Sequence, residues 1–62
     1  MGVTKLVEHT YGTHAFMRIM FDDQSVEEID VFWRDDGEHY QTTGDGDERR
    51  RAEIIDAFHA LY

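Results

Sequence analysis

The 62-residue chain contains no cysteine, no proline and a single serine, and it sets only six basic residues against fourteen acidic ones. Each shortage excludes something. Without thiols there is no disulfide framework and no thiolate zinc site, and a reducing, cytoplasmic location is the natural expectation. With so few Lys and Arg the chain is poorly equipped to grip phosphate, so it is not expected to bind nucleic acid directly. No apolar run is long enough for a membrane span or a signal-peptide core. The lone Ser25 has no His beside it in sequence, there is no Gly-rich phosphate loop, and the many carboxylates lie in turns where solvent keeps them ordinary. The expectation is therefore a non-enzyme without cofactor or metal.

What is present points to one folded domain over residues 1–62. Hydrophobic residues make up 40% of the chain and aromatics 13%, too many for a disordered segment. Turn signals at Tyr11-Gly12-Thr13, Asp22-Asp23-Gln24-Ser25 and Asp35-Asp36-Gly37-Glu38 separate four stretches of strand length: Val3–Thr10, His14–Phe21, Val26–Trp33 and His39–Thr42. After the loop Thr43-Gly44-Asp45-Gly46-Asp47 the period changes. Ile54, Ile55, Phe58, Leu61 and Tyr62 recur at helical spacing, and Asp45 with Glu48 has the form of a capping box. The sequence thus predicts an α+β fold, a four-stranded antiparallel β-meander with one C-terminal helix, from about residue 47, across one sheet face (ββββα).

Pattern also suggests register. A three-residue loop Asp23-Gln24-Ser25 sets Ile19 opposite Ile29, Met17 opposite Val31 and Ala15 opposite Trp33 on the helix side. It sets Phe16 opposite Phe32 and Arg18 opposite Asp30 on the other side. An Asp36-Gly37 loop sets Trp33 opposite Tyr40. In the first hairpin the adjacent Leu6 and Val7 cannot share a face, which a bulge would resolve.

The charge is uneven. From Asp22 to Glu48 eleven carboxylates accompany one cation, Arg34, giving a formal −10 over 27 residues, while the rest of the chain carries +2. Turn and helix-cap preferences explain about half of these acids. The excess predicts a negative band for a basic partner protein, formed by Asp22, Asp23, Glu27, Glu28, Asp30, Asp35, Asp36, Glu38, Asp45, Asp47 and Glu48. In general character the chain resembles the compact inhibitors made by phages and mobile elements, such as anti-CRISPR and anti-restriction proteins. That resemblance implies carboxylates set at phosphate-like positions to occupy a nucleic-acid-binding groove; it is one of composition and carries over no individual residue.

Two other readings come from the same residues. Phe16, Met20, Val26 and Phe32 fall on the sheet face away from the helix, an apolar strip suited to a homodimer interface. His9, His14 and His39 flank turns at one end of the sheet, with Arg34 expected between His14 and His39. Together with Asp35, Asp36 and Glu38 they offer a weak zinc alternative. Asp45-Gly46-Asp47 starts like a calcium loop, but Arg49 and Arg50 stand where a ligand and a glycine are needed. The Arg49-Arg50-Arg51 cluster is expected to pair with Asp45, Asp47, Glu53 and the carboxylates of the second turn.

Overall fold

The structure, a computed structural model, describes residues 2–43 and 48–62. Four strands, β1 (Val3–Tyr11), β2 (His14–Phe21), β3 (Val26–Arg34) and β4 (Gly37–Thr43), precede a helix α1 (Glu48–Leu61). The strands form one antiparallel sheet in the order β1-β2-β3-β4, so the fold is the ββββα meander. Short connections hold each strand beside its predecessor. The expected helix cap at Asp45 lies outside the described residues.

Alternation along β2 and β3 decides the core. Ala15, Met17, Ile19 and Phe21 point to one side, as do Ile29 and Val31, and all are buried. Helix residues Ile54, Ala57 and Phe58 close over them, with Val3, Trp33, Tyr40, Ile55 and Leu61 packed at the margin. Tyr62 follows the helix and remains 54% exposed, yet its ring stacks on Phe58 at 4.9 Å. Ala57 is small enough to lie buried between helix and sheet, while the larger side chains supply most of the apolar burial.

The turns differ in detail from the sequence pattern. In the first, Gly12 (φ 59°) and Thr13 connect Tyr11 to His14; positive φ at the first loop residue alone is the II′ pattern, for which glycine is suited. The register shifts between Lys5 and Val7, so a bulge at Leu6 separates the two adjacent apolar residues as anticipated. The second loop does have three residues, but they are Asp22, Asp23 and Gln24. Gln24 takes a left-handed φ of 67°, its N–H donates to Phe21 O at 2.9 Å, and the Phe21 N–H donates to Ser25 O at 2.9 Å. Asp23 fixes this geometry by accepting the Ser25 N–H at 3.0 Å and the Ser25 hydroxyl at 2.5 Å. The pairs are therefore Ala15–Val31, Met17–Ile29 and Ile19–Glu27 on the helix side, and His14–Phe32, Phe16–Asp30 and Arg18–Glu28 on the outer side. The third loop is Asp35-Asp36 rather than Asp36-Gly37. It sets Trp33 opposite Glu38 and Tyr40 opposite Val31, with Gly37 (φ 122°) taking the left-handed position just after the loop. Both corrections slide a strand by two positions, and a two-residue slide keeps every side chain on its own face. The expected faces survive although the expected partners do not.

Candidate functional site

Two surfaces emerge once the strands are in register. The first is the outer face of the sheet, which no described element covers. Its residues line up in rows across the strands: Tyr11–His14–Phe32–His39, then His9–Phe16–Asp30–Gln41, then Val7–Arg18–Glu28–Thr43, then Thr4–Met20–Val26. Rings stack along the first row, His14 on Phe32 at 4.4 Å and Tyr11 on His14 at 5.9 Å, and Arg34 lies over Phe32 at 5.8 Å. The expected strip of Phe16, Met20, Val26 and Phe32 does lie on this face. Val26 is 47% exposed and the other three are half-buried by their neighbours.

Charge on this face is matched. Arg18 Nη2 lies 2.6 Å from Glu28 Oε2, and Asp30 Oδ1 lies 2.7 Å from His14 Nε2. Among the strand residues of this face, Arg18 and Arg34 against Glu28 and Asp30 give a formal charge of zero. Glu28 and Asp30 are thus in place on the outer face, but as members of cross-strand pairs.

The second surface is a groove where β2 ends beside the helix. Two adjoining hollows of about 220 and 290 Å³ share Phe21 and Glu53. Val3, Phe21, Ala57 and Ala60 give it an apolar floor, and Asp22, Asp23, Glu53 and Asp56 rim it, with Arg50 as the one cation among its lining residues. Arg50 reaches Asp23 through two contacts of 3.4 Å, lies 3.9 Å from Glu53, and covers the Phe21 ring at 4.2 Å. The Ser25 hydroxyl and N–H, followed by Arg50, hold the Asp23 carboxyl down at about 2. Asp23 in turn pushes the Arg50 guanidinium further up, with the charges of Glu27 and Glu53 adding to it. Asp22 and Asp56 have no cationic partner among the described residues.

The rest of the expected band is scattered. Asp35, Asp36 and Glu38 lie at the far end of β3, as anticipated. Asp36 lies 2.7 Å from His39 Nε2, and that contact holds its carboxyl below the usual range. Glu38 accepts from Trp33 Nε1 at 3.1 Å. Glu27 must leave the band: it shares the parity of Ile29 and Val31, faces the helix, and is 9% exposed. Asp45 and Asp47 lie outside the described residues, and the side chain of Glu48 is not described. Of the arginine cluster, Arg50 pairs with Asp23 and Glu53 as expected, whereas Arg51 donates to Tyr40 O at 2.8 Å.

The histidine reading is not supported. Among the described residues no group of three or more His, Asp or Glu is placed to hold a metal ion. His9 stacks between Tyr11 and Phe16, at 6.0 and 6.5 Å, while His14 and His39 lie against separate carboxylates. Phe32, rather than Arg34, takes the position between His14 and His39. A different trio, Tyr40, His59 and Glu38, has the residue types of a catalytic relay but not its geometry. Tyr40 Oη and Glu38 Oε2 both approach the same His59 nitrogen, at 3.0 and 3.7 Å, so Glu38 does not orient the ring from its other nitrogen. Burial, then the Glu38 charge, raises the Tyr40 hydroxyl above its ordinary value, which makes a poorer nucleophile at neutral pH.

Sequence reasoning left Glu53 and Asp56 out of the acidic surface, naming Glu53 only as a partner for the arginines. Their signal was available: they sit three residues apart, beside the Ala57–Ala60 stripe, on the helix that the meander brings to the Asp22-Asp23 end. Together the fold and its surfaces define a single-sheet α+β domain with one neutral, aromatic face and one acid-rimmed groove. The chain matches no protein-family model, no curated protein and no solved structure. Among the described residues no helix is long and apolar enough to cross a membrane.

Proposed function

We propose that this chain is a non-enzymatic, cytoplasmic protein-binding module whose acid-rimmed groove engages a basic surface on a partner protein. One observation carries the reading: Asp22, Asp23, Glu53 and Asp56 surround an apolar floor with Arg50 as the one opposing cation among the lining residues. An apolar side chain flanked by Lys or Arg satisfies both parts of such a groove, with burial for the floor and charge for the rim. Surfaces that normally hold phosphate display such cations. The natural role is an inhibitor that occupies a nucleic-acid-binding surface, of the kind made by phages and mobile elements. The remaining negative charge steers the encounter from a distance.

The test is fluorescence anisotropy with a labelled peptide carrying one leucine between arginines and lysines, at about 50 and 500 mM salt. Across that range the Debye length shrinks from about 14 to about 4 Å. Binding that weakens steeply with salt, and is lost on combining D22N, E53Q and D56N, supports the reading. Binding that is absent, indifferent to salt, or unchanged in the triple variant sinks it.

A further inference from the structure

We infer that the outer sheet face is a self-association surface, and that its occupant is a second copy of this chain packed sheet on sheet. This goes beyond the groove reading and does not depend on it. Three observations carry it.

The first is charge. A basic partner would be drawn to a negative face, yet the charged strand residues of this face, Arg18 and Arg34 against Glu28 and Asp30, sum to a formal zero. Its two carboxylates are already satisfied, Glu28 by Arg18 and Asp30 by His14. A neutral face with internally paired charges suits a copy of itself better than a polycation.

The second is symmetry. Place a twofold axis along the strands, between β2 and β3, in the plane of contact. Each row then meets its own reverse. The row Val7–Arg18–Glu28–Thr43 brings Arg18 over Glu28 of the partner subunit, and Glu28 over the partner's Arg18. The two internal ion pairs become a four-membered alternating network at the middle of the interface. In the row beside it on one side Met20 meets the partner's Val26, and on the other Phe16 meets the partner's Asp30; one row further Phe32 meets the partner's His14, extending the ring stacking of the single chain across the interface. An isologous contact requires this kind of self-complementarity.

The third is size. Four strands about 4.8 Å apart, seven to nine residues long at about 3.3 Å per residue, make a face on the order of 500 Å². Two such faces bury on the order of 1,000 Å², the lower bound for a specific interface. A second layer also completes what one helix leaves half covered in so small a domain.

Sedimentation equilibrium over about 2–200 µM tests this. The unmodified chain should reach twice its 7.3 kDa mass. Phe32→Asp and Arg18→Glu should each raise the dimer dissociation constant at least about ten-fold. The exchange R18E with E28R should restore it to within about three-fold, because it reverses the network without breaking it. Far-ultraviolet circular dichroism confirms that each variant is folded, and the exchange variant decides the matter if a single variant is not. A chain that stays monomeric throughout overturns the inference and leaves the face to a different partner. A dimer indifferent to Phe32→Asp, or one that the exchange fails to rescue, overturns it as well.

Discussion

The two faces of this sheet are built from the same strands, by the same alternation, and end up as different materials. On the helix side Ala15, Met17, Ile19, Ile29 and Val31 are fully buried, and Glu27 is the one charge carried there by β2 or β3. On the outer side polar and apolar residues are mixed: Phe16 lies opposite Asp30, Phe32 opposite His14 and Arg18 opposite Glu28, while Met20 and Val26 face each other. Apolar content alone does not make a core. A face becomes core when its charges are removed; it becomes contact surface when its charges are kept and matched, which lets it remain in water alone or be covered.

The largest expected effect breaks this comparison directly. Phe58 is 1% exposed under the sheet, and Phe58→Ala should cost about 3–5 kcal/mol, most of the stability available to a domain of this size. Phe32→Ala on the outer face should cost under about 1 kcal/mol at protein concentrations too low for association. Urea denaturation of both variants measures the difference; equal losses would erase the distinction between the faces.

A smaller effect sharpens the account of the turns. Gln24 holds a left-handed φ that costs a side-chain-bearing residue about 1–2 kcal/mol, part of which glycine returns as backbone entropy. Gln24→Gly should therefore stabilise by about 0.5–1 kcal/mol in the same denaturation experiment. A loss of stability would show that the second loop does not have the conformation described.

The smallest effect is acid-dependent and lies at opposite ends of the sheet. Asp23 is held at about 2 against an ordinary 3.8, and Asp36 is also lowered, chiefly by His39. A carboxyl depressed on folding contributes stability that is complete above its unfolded value and disappears as pH falls through its folded one. For Asp23 that window runs from about 3.8 to about 2. Its contribution is modest because the group is exposed. Thermal melts between pH 5 and 2 should fall less steeply for Asp23→Asn than for the unmodified chain. Parallel curves would deny Asp23 this role.

The fold was legible because period is a strong signal. Alternation fixed the faces of β2 and β3, and three- and four-residue spacing fixed the helix face through Ile54, Phe58 and Leu61. Register was less legible. The second loop depends on Gln24, a residue type that gives no hint of left-handed backbone, and the third uses Gly37 after the loop instead of within it. The outer strip of Phe16, Met20, Val26 and Phe32 was legible for the same reason as the core. The acidic surface was legible only as a total. Glu27 lies inside the negative segment but turns inward, while Glu53 and Asp56 lie outside it and join the groove in space. Summing charge along a sequence cannot show that; pairing strands can.

The most direct test of the separation between face and groove is a titration of the ¹⁵N-labelled chain with the arginine- and lysine-flanked leucine peptide, followed residue by residue through amide chemical shifts. The account predicts that Phe21, Asp22, Asp23, Glu53, Asp56, Ala57 and Ala60 move, and that Phe16, Met20, Val26 and Phe32 do not. Shifts centred on those four outer-face residues would contradict it.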